Sequence, residues 1–352
     1  MPGWHSGGSG SETNRAVKLA IVKLSALGDI VHAMVGLQFI KAACPDSQID
    51  WVVEQRFAEL LRNNPHINAV LTLDLKSLKQ RKSGVFREIK KIRAYAANHY
   101  DLVIDAQGLL KSAITALLLG SPVAGFDRNS IREKAAACFY SIKVACAYDA
   151  NTIDRNALVL SQPLGFAIRH EQIVNKQAFL FYRGENSNVM NLFDKGRRHV
   201  VMVIGSTWPS RNYPAAKYVK IAQALPAQCW VIWGSEQEKK AAEWMASQAD
   251  NILVMPKLDL NDLKAVIAKA DLLIGNDTGP THMAWALNKP SVTIFGPTPV
   301  SRVYQTAINK VVKSASIVNP YKLNKQDFSI RDIDEREIVV LAQALLSGDK
   351  LD

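Results

Sequence analysis

The residues best suited to chemistry lie in turns that follow short apolar runs. One of these turns, Gly275 to His282, reads GNDTGPTH and precedes an apolar helical pattern. The first amides of a helix have no partners within the helix, and its dipole favours an anion there. Gly279 permits close backbone approach, and His282 is near enough to donate to a phosphate or sugar, although a lone histidine is more often structural. The turn is therefore either a phosphate site or an ordinary helix cap made by Asp277 or Thr278.

Two further turns in the C-terminal half have the same character. The turn GSTWPSRNYP offers the hydroxyls of Ser206 and Thr207, backbone amides, and Arg211, whose planar guanidinium suits a diphosphate. Its alternative interpretation is a plain strand-to-helix loop with a proline at the helix start. The turn WGSE ends in Glu236, which could accept hydrogen bonds from ribose hydroxyls or merely favour the helix N-terminus through the dipole.

The N-terminal half carries two turns with candidate polar groups. Gly28 and Asp29 follow the first apolar run. A carboxylate in this place either caps the helix or accepts the proton of an attacking hydroxyl. The segment DAQGLLKS adds an amide, a glycine and Lys111 after a second run. Asp105 and Gln107 within it could equally be internal hydrogen-bond partners of the loops.

The elements that must position these turns are short apolar strands alternating with amphipathic helices. In the first half the pattern predicts strands within Val17–Leu24, Ile49–Val53, Ala69–Leu73 and Leu102–Asp105, and helices at Phe57–Arg62, Val85–Ala97 and Leu109–Leu119. In the second half it predicts strands at Val200–Ile204, Cys229–Trp233, Ile252–Val254, Leu272–Gly275 and Val292–Phe295. The helices predicted there are Pro214–Leu225, Glu236–Gln248, Leu260–Ala270, Gly279–Leu287 and Glu335–Leu346. The alternation indicates parallel βαβ units.

The chain of 352 residues is long enough for two such domains. Periodicity weakens from about residue 168 to residue 198, so the domain boundary is expected there. We expect a flexible tail at 1–15, a first Rossmann-like domain at 16–182, and a second at 183–352 that includes the C-terminal helix. Two doubly wound domains in tandem create a cleft at the carboxyl ends of their strands, where open α/β sheets bind ligands.

Charge and composition narrow the class of protein. The formal net charge of +11 favours a polyanionic partner, which is a nucleic acid, an anionic membrane or a phosphorylated substrate. Basic residues cluster from Lys76 to Arg93, although a solvated helix face is the alternative for any one of them. RNP-like, KH and zinc motifs are missing, which disfavours a nucleic-acid partner. The four cysteines lack paired metal-ligand spacing and are typical of a reduced, cytosolic protein.

Several nucleotide and metal motifs are also missing. The first turn is not G-x-G-x-x-G, which disfavours a nicotinamide-dependent dehydrogenase, and no P-loop occurs. Asp277 is not part of a D-x-D pair, so the usual carboxylates of a metal-dependent sugar transfer are lacking. We therefore expect neither a cofactor nor a metal. No run reaches the roughly 20 apolar residues of a membrane span.

Taken together, these motifs resemble the lipopolysaccharide heptosyltransferases of glycosyltransferase family 9, and most closely those that add the first inner-core heptose. The resemblance runs from about Val17 to the C-terminus. Its motifs are IVKLSALGDIVHA, DAQGLLKSA, GFDRNSIREK, the GST…RNYP turn, WGSE, NDTGPTHMAWAL and FGPT. It implies the GT-B fold, which is α/β with two Rossmann-like domains facing each other across a cleft, the first binding the acceptor and the second the donor.

The resemblance also implies a reaction and roles for individual residues. The reaction is an inverting, metal-independent transfer from ADP-heptose to the Kdo sugar of Kdo-lipid A, with Asp29 as the catalytic base. The donor would be bound by Ser206, Thr207, Arg211, Glu236, Asp277, Thr278, Gly279 and His282. The acceptor would be bound by Gly28, Lys111, Arg132 and Arg155. The family commonly has Thr and Lys where Ser206 and Arg211 stand, which affects the phosphate geometry.

The resemblance implies partners and a location as well. The basic Lys76–Arg93 cluster could meet lipid A phosphates or the anionic inner leaflet, which predicts peripheral association with the cytoplasmic face of the inner membrane. A heptosyltransferase acting later in the core, or a hexosyltransferase of the same family, is the alternative, since these enzymes differ mainly in acceptor surface and base contacts.

Overall fold

The computed structural model describes residues 16–75, 84–120, 122–184 and 187–348. The expected tail at 1–15 and residues 76–83 of the basic cluster lie outside these ranges. The chain divides into two compact units between Lys176 and Gln177, a few residues before the boundary expected from the sequence. Each unit is a doubly wound α/β domain with its own parallel sheet, so the predicted fold class is confirmed.

The first unit is built on a six-stranded parallel sheet in the order β3-β2-β1-β4-β5-β6. Its strands are β1 (Lys18–Val22), β2 (Gln48–Glu54), β3 (Ala69–Leu73), β4 (Leu102–Asp105), β5 (Val123–Phe126) and β6 (Ile142–Val144). Its helices are α1 (Leu27–Met34), α2 (Gly36–Ala43), α3 (Ala58–Leu61), α4 (Val85–Ala96), α5 (Leu110–Leu118), α6 (Thr152–Ser161) and α7 (His170–Val174). The central strands β1 and β4 are apolar because helices cover both faces of the sheet.

The second unit repeats the architecture with the order β12-β11-β10-β7-β8-β9. Its strands are β7 (His199–Val203), β8 (Gln228–Ile232), β9 (Ile252–Val254), β10 (Leu272–Asn276), β11 (Ser291–Phe295) and β12 (Asn309–Lys313). Its helices are α8 (Ser187–Met190), α9 (Ala215–Ala224), α10 (Glu236–Ala246), α11 (Leu260–Lys269), α12 (Gly279–Ala286) and α13 (Glu335–Ser347). The C-terminal helix α13 packs against α9 and against β10 and β11.

The sequence pattern did not predict strands β5, β6 and β12. Strand β5 reads VAGF and contains a glycine, and β6 has three residues of which two are exposed. Strand β12 reads NKVVK, with lysines that break its apolar run. Strands β6 and β12 extend a sheet at its edge, and β5 pairs with a neighbour on each side; in each case tertiary pairing outweighs weak local propensity.

Gly125 in β5 leaves room for the aromatic ring of Tyr140, which packs on the first sheet. A Cβ at this position would come within 2.6 Å of the Tyr140 ring. The Tyr140 hydroxyl donates to Oδ2 of the fully buried Asp105 at 2.7 Å. The glycine therefore allows the ring to lie on the strand and to satisfy a carboxylate at the end of β4.

We predict that Gly125→Ala lowers the free energy of unfolding by about 1–3 kcal/mol, because the new methyl group must displace the Tyr140 ring. Denaturant unfolding followed by near-UV circular dichroism measures the change. Gly196→Ala is the matched control, since a Cβ there meets nothing within 4 Å. Equal stability of the two variants would show that the ring moves without cost.

Candidate active site

The centre of the site in the second unit is the carboxylate of Asp277, which follows β10 and is 1% exposed. Its Oδ1 lies 3.0 Å from His282 Nε2, and its Oδ2 lies 3.1 Å from Arg211 Nη2. The Thr298 hydroxyl donates to Oδ2 at 2.7 Å. Burial opposes ionisation, but the His282 hydrogen bond and the Arg211 charge hold the pKa of Asp277 well below its ordinary value. Asp277 is therefore a buried anion that fixes three surrounding side chains.

The first turn of α12 has no side-chain cap. Thr278 occupies the N-cap position but makes no side-chain hydrogen bond to the helix amides. Its Oγ1 is buried and has no hydrogen-bond partner among the described residues. Gly279 and the proline after it begin the helix. The geometry thus differs from an ordinary helix cap, and it leaves a helix N-terminus and a hydroxyl beside the Arg211 guanidinium, which is the arrangement that binds an anion.

The turn after β7 is joined to the turn after β10 by Asn276. The Asn276 side chain donates to the Ile204 carbonyl at 2.8 Å and accepts from the Tyr213 amide at 3.1 Å. Ser206 donates to the Trp208 carbonyl at 2.7 Å, so its hydroxyl folds back on its own turn. The neighbouring Thr207 is exposed.

Arg211 is held between an ion pair and an aromatic ring. Its side chain is 11% exposed, and its guanidinium carbon lies 5.4 Å from the centre of the Trp208 ring. Because the fork of an arginine carries several N–H groups in one plane, bonding to Asp277 fixes the orientation of the whole group. The Arg211 guanidinium is thus held in a fixed orientation at the edge of the sheet.

The turn after β8 leads into a helix with two acids in its first turn, Glu236 and Glu238, which have different surroundings. Glu236 begins α10 and is exposed. Glu238, two residues on, accepts from the Gly234 amide at 2.7 Å and lies over Gly205, where a Cβ would come within 2.2 Å of its carboxylate. Glu238 therefore lies against the β7 turn. The glycine at position 205 is the sequence signal that could have indicated this contact.

In the first unit, Asp29 lies in the first turn of α1 beside Gly28, and both are partly buried. The Asp29 carboxylate accepts from the Ala26 amide at 3.3 Å, so it helps to cap its own helix. Lys23 lies beneath this turn and donates to the Ala106 carbonyl at 2.7 Å and to Asn156 Oδ1 at 3.1 Å. Burial lowers the pKa of Lys23, although the charges of Asp29 and Asp105 oppose that shift. Sequence reasoning missed this lysine because it ends an otherwise apolar run.

Side chains at the end of β4 and in the turn after it hydrogen-bond to the neighbouring turn after β1 and to their own turn. Gln107 accepts from the Leu24 and Ser25 amides at 3.0 and 3.1 Å. Asp105 accepts from Tyr140, Ser112 and two backbone amides. Burial raises the pKa of Asp105, and these hydrogen bonds oppose the shift. Asp105 and Gln107 are internal partners, as one of the two interpretations of the sequence proposed.

The predicted acceptor residues have different surroundings. Lys111 in α5 pairs with Glu54 at 3.3 Å, and the side chain of Arg132 is 73% exposed. Arg155 in α6 donates to the Ser130 carbonyl and lies 4.9 Å from the centre of the Phe126 ring. It therefore fixes the loop before β6 as well as carrying charge.

Asp277, Arg211 and His282 thus contact one another at the carboxyl edge of the second sheet, where the exposed Glu236 also begins a helix. Gly28, Asp29 and Lys111 lie at the corresponding edge of the first sheet. Within the described residues there is no cluster of three His, Cys, Asp or Glu that could hold a metal ion. No helix in the described ranges is long and apolar enough to cross a membrane.

Comparison with known proteins identifies relatives over nearly the whole chain. Residues 86–330 match the model of glycosyltransferase family 9 (heptosyltransferase). A Campylobacter coli protein named lipopolysaccharide heptosyltransferase 1 is 34% identical over 348 residues, which cover 95% of this chain and 100% of that protein. The Escherichia coli K12 protein of the same name is 28% identical over 321 residues, 88% of this chain and 97% of that protein.

Solved structures share the fold. Escherichia coli heptosyltransferase WaaC with ADP-2-deoxy-2-fluoro heptose superimposes with a TM-score of 0.75 at 22% identity, covering 93% of this chain and 99% of that one. Escherichia coli ADP-heptose lps heptosyltransferase II gives a TM-score of 0.75 at 18% identity, covering 94% and 99%. At these identities the likeness establishes the architecture, which is that of the GT-B heptosyltransferases. The family match and the near-complete coverage by relatives show that the chain belongs to glycosyltransferase family 9 and is a glycosyltransferase.

Proposed function

We propose that the protein transfers L-glycero-D-manno-heptose from ADP-heptose to the Kdo sugar of Kdo-lipid A, in the inner core of lipopolysaccharide or lipooligosaccharide. The transfer inverts the anomeric configuration and needs no metal. The first unit binds the acceptor and the second binds the donor. The proposal is supported by relatives named lipopolysaccharide heptosyltransferase 1 and by the neighbouring structure that contains ADP-2-deoxy-2-fluoro heptose.

The observation that carries the proposal is the uncapped N-terminus of α12 beside Arg211. A diphosphate placed there would accept from the helix amides, from the Thr278 hydroxyl and from the guanidinium. Asp277 does not meet the diphosphate itself, because its carboxylate is already bound by His282, Thr298 and Arg211. Its role is to position the cation and the imidazole.

The turn after β8 and the β7 turn next to it would complete the donor site. Glu238 lies against Gly205 and could accept from ribose hydroxyls, with Glu236 exposed at the start of α10. Ser206 and Thr207 would meet the diphosphate from the β7 turn. Since the Ser206 hydroxyl bonds to its own turn, its backbone amide is the group more readily offered to a phosphate.

The chemical step follows from the charges of the two units. The Asp29 carboxylate takes the proton of the Kdo hydroxyl as that oxygen attacks the anomeric carbon. The bond from this carbon to the diphosphate oxygen breaks, and the electron pair leaves with ADP. Attack from the face opposite the leaving group inverts the configuration. Arg211, Thr278 and the amides of α12 stabilise the charge that develops on ADP.

The acceptor would be bound by cationic groups of the first unit. Arg132 pairs with Glu133 at 3.7 Å, and its side chain is 73% exposed, so it could also reach a carboxylate or phosphate from solvent. Lys111 and Arg155 each already contact the protein, so they add charge from fixed positions. The basic cluster from Lys76 to Arg93 would meet lipid A phosphates or the anionic cytoplasmic leaflet of the inner membrane, with which the protein associates peripherally.

We predict that the protein releases ADP from ADP-heptose in EDTA when Kdo-lipid A is the acceptor. Coupled detection of ADP measures the rate, and mass spectrometry of the lipid verifies addition of one heptose. An already heptosylated core is the control acceptor. ADP release with that acceptor alone would assign the enzyme to a later step of core assembly, and loss of activity in EDTA that a divalent cation restores would overturn metal independence.

We predict that Asp29→Asn lowers kcat by between about 10²- and 10⁴-fold, because the amide cannot accept the proton. The amide oxygen can still accept from the Ala26 amide, so the helix cap is preserved. The Kd for ADP, measured by calorimetry, should be unchanged. A loss of ADP affinity with little change in kcat would mean that Asp29 is structural.

We predict that Arg211→Gln weakens ADP binding by about ten- to a hundredfold, the cost of losing a charged hydrogen bond to the diphosphate. Calorimetric titration of each variant with ADP measures the change, and thermal unfolding checks that the fold survives. Arg198→Gln is the matched control, since Arg198 pairs with Asp271 at the opposite edge of the same sheet. Equal ADP affinity in the two variants would remove Arg211 from the donor site.

A further inference from the structure

Helix α5 exposes a stripe of aliphatic side chains to solvent. Leu110, Ile114 and Leu117 are 39%, 45% and 50% exposed. Their spacing places them on one face of the helix, while the opposite face, with Ala113 and Ala116, is buried in the unit. A helix normally turns its aliphatic residues toward the core. The outward stripe therefore needs an explanation other than folding.

Helix α4 packs against α5 and exposes an aromatic residue among cations. Phe86 is 82% exposed, the largest exposure of an aromatic side chain in the described residues. Lys90 and Arg93 follow it at helical spacing on the same exposed face. The single acid of α4, Glu88, is 3% exposed, and α5 contains no acid. The side chains that these two helices expose to solvent are thus apolar or cationic.

Cations also border the other end of the stripe. The Leu110 amide donates to Glu133 Oε2 at 2.7 Å, which brings the segment around Glu133 to the start of α5. Arg132 pairs with Glu133 at 3.7 Å but its side chain is 73% exposed, and Lys134 is exposed as well. We define the α4–α5 surface by Phe86, Leu110, Ile114 and Leu117 with the four cations around them: Lys90, Arg93, Arg132 and Lys134.

We propose that the α4–α5 surface docks on an anionic lipid bilayer, with the aliphatic stripe and Phe86 entering the headgroup region and the cations meeting lipid phosphates. An exposed apolar patch with a polar rim marks an interaction site, and basic residues beside apolar ones are typical of interfacial helices. Juxtaposed cations are attracted to the negative surface of such a bilayer. This proposal rests on the proposed function, because docking would bring the acceptor-binding unit to a lipid-linked acceptor.

Charge argues against a second copy of this chain as the occupant. The whole chain has a net charge of +11, and the four cations of the α4–α5 surface outnumber the one acid beside them, Glu133. Two such surfaces placed face to face would bring like charges together across an apolar contact. A bilayer containing anionic phospholipid supplies the opposite charge and an apolar interior at the same time.

We predict that the protein floats with vesicles of equal parts phosphatidylglycerol and phosphatidylcholine, and that the double variant Ile114→Gln, Leu117→Gln loses about tenfold or more of this binding. The double variant Lys90→Gln, Arg93→Gln should lose about fivefold per cation at low salt. Binding of the unaltered chain should also fall as salt rises. Flotation without either sugar substrate measures all of these.

The matched control is the double variant Ile317→Gln, Val340→Gln, whose side chains are 98% and 61% exposed in the second unit. It should bind vesicles as the unaltered chain does. Equal binding of the Ile114→Gln, Leu117→Gln variant and the unaltered chain would overturn the proposal, as would equal binding to pure phosphatidylcholine. A change of oligomeric state in that variant, seen by light scattering, would assign the surface to self-association instead. Vesicle binding without heptose transfer would leave this proposal standing and refute the proposed function.

Discussion

The buried charge of Asp277 is the constraint on which the site in the second unit depends. A carboxylate withdrawn from water is costly unless it is paired and hydrogen-bonded. Here Arg211 and His282 come from different turns, and Thr298 comes from the turn after β11. The free energy that would be lost by leaving Asp277 unpaired therefore holds three turns in one arrangement. The same bonds direct the Arg211 guanidinium toward the uncapped start of α12.

The first unit also contains buried ionisable side chains with hydrogen-bond partners, but these side chains lie away from the protein surface. Asp105 binds its own turn and the Tyr140 hydroxyl, and Lys23 binds a carbonyl and Asn156. Both groups lie behind the loop that carries Asp29. Gln107 binds two amides of that loop. The loop that carries Asp29 is therefore supported by fixed polar groups, while the Asp29 carboxylate remains partly exposed.

Much of the fold could be predicted from the sequence, because parallel strands covered on both faces must be apolar and their turns must meet at one edge. Strands such as β5 and β6 could not, since their stability comes from pairing with a neighbour. The position of the Asp277 turn could be predicted because it follows a strongly apolar strand. The contact between Glu238 and Gly205 could not be predicted, because it depends on the rotation of α10 about its own axis. Arg155 shows a further limit, since its packing on Phe126 is a tertiary contact.

The presence of arginine at position 211 follows from this arrangement. One N–H group of the guanidinium is committed to Asp277, and the flat group lies near the Trp208 ring. An arginine presents its N–H groups in one rigid plane, so pairing with the buried carboxylate fixes the orientation of the whole group. A lysine is a point charge on a flexible stem, and it would pair with Asp277 without a fixed orientation. Substituting lysine would therefore preserve the charge at the edge of the sheet but lose the fixed orientation of the cation beside Asp277.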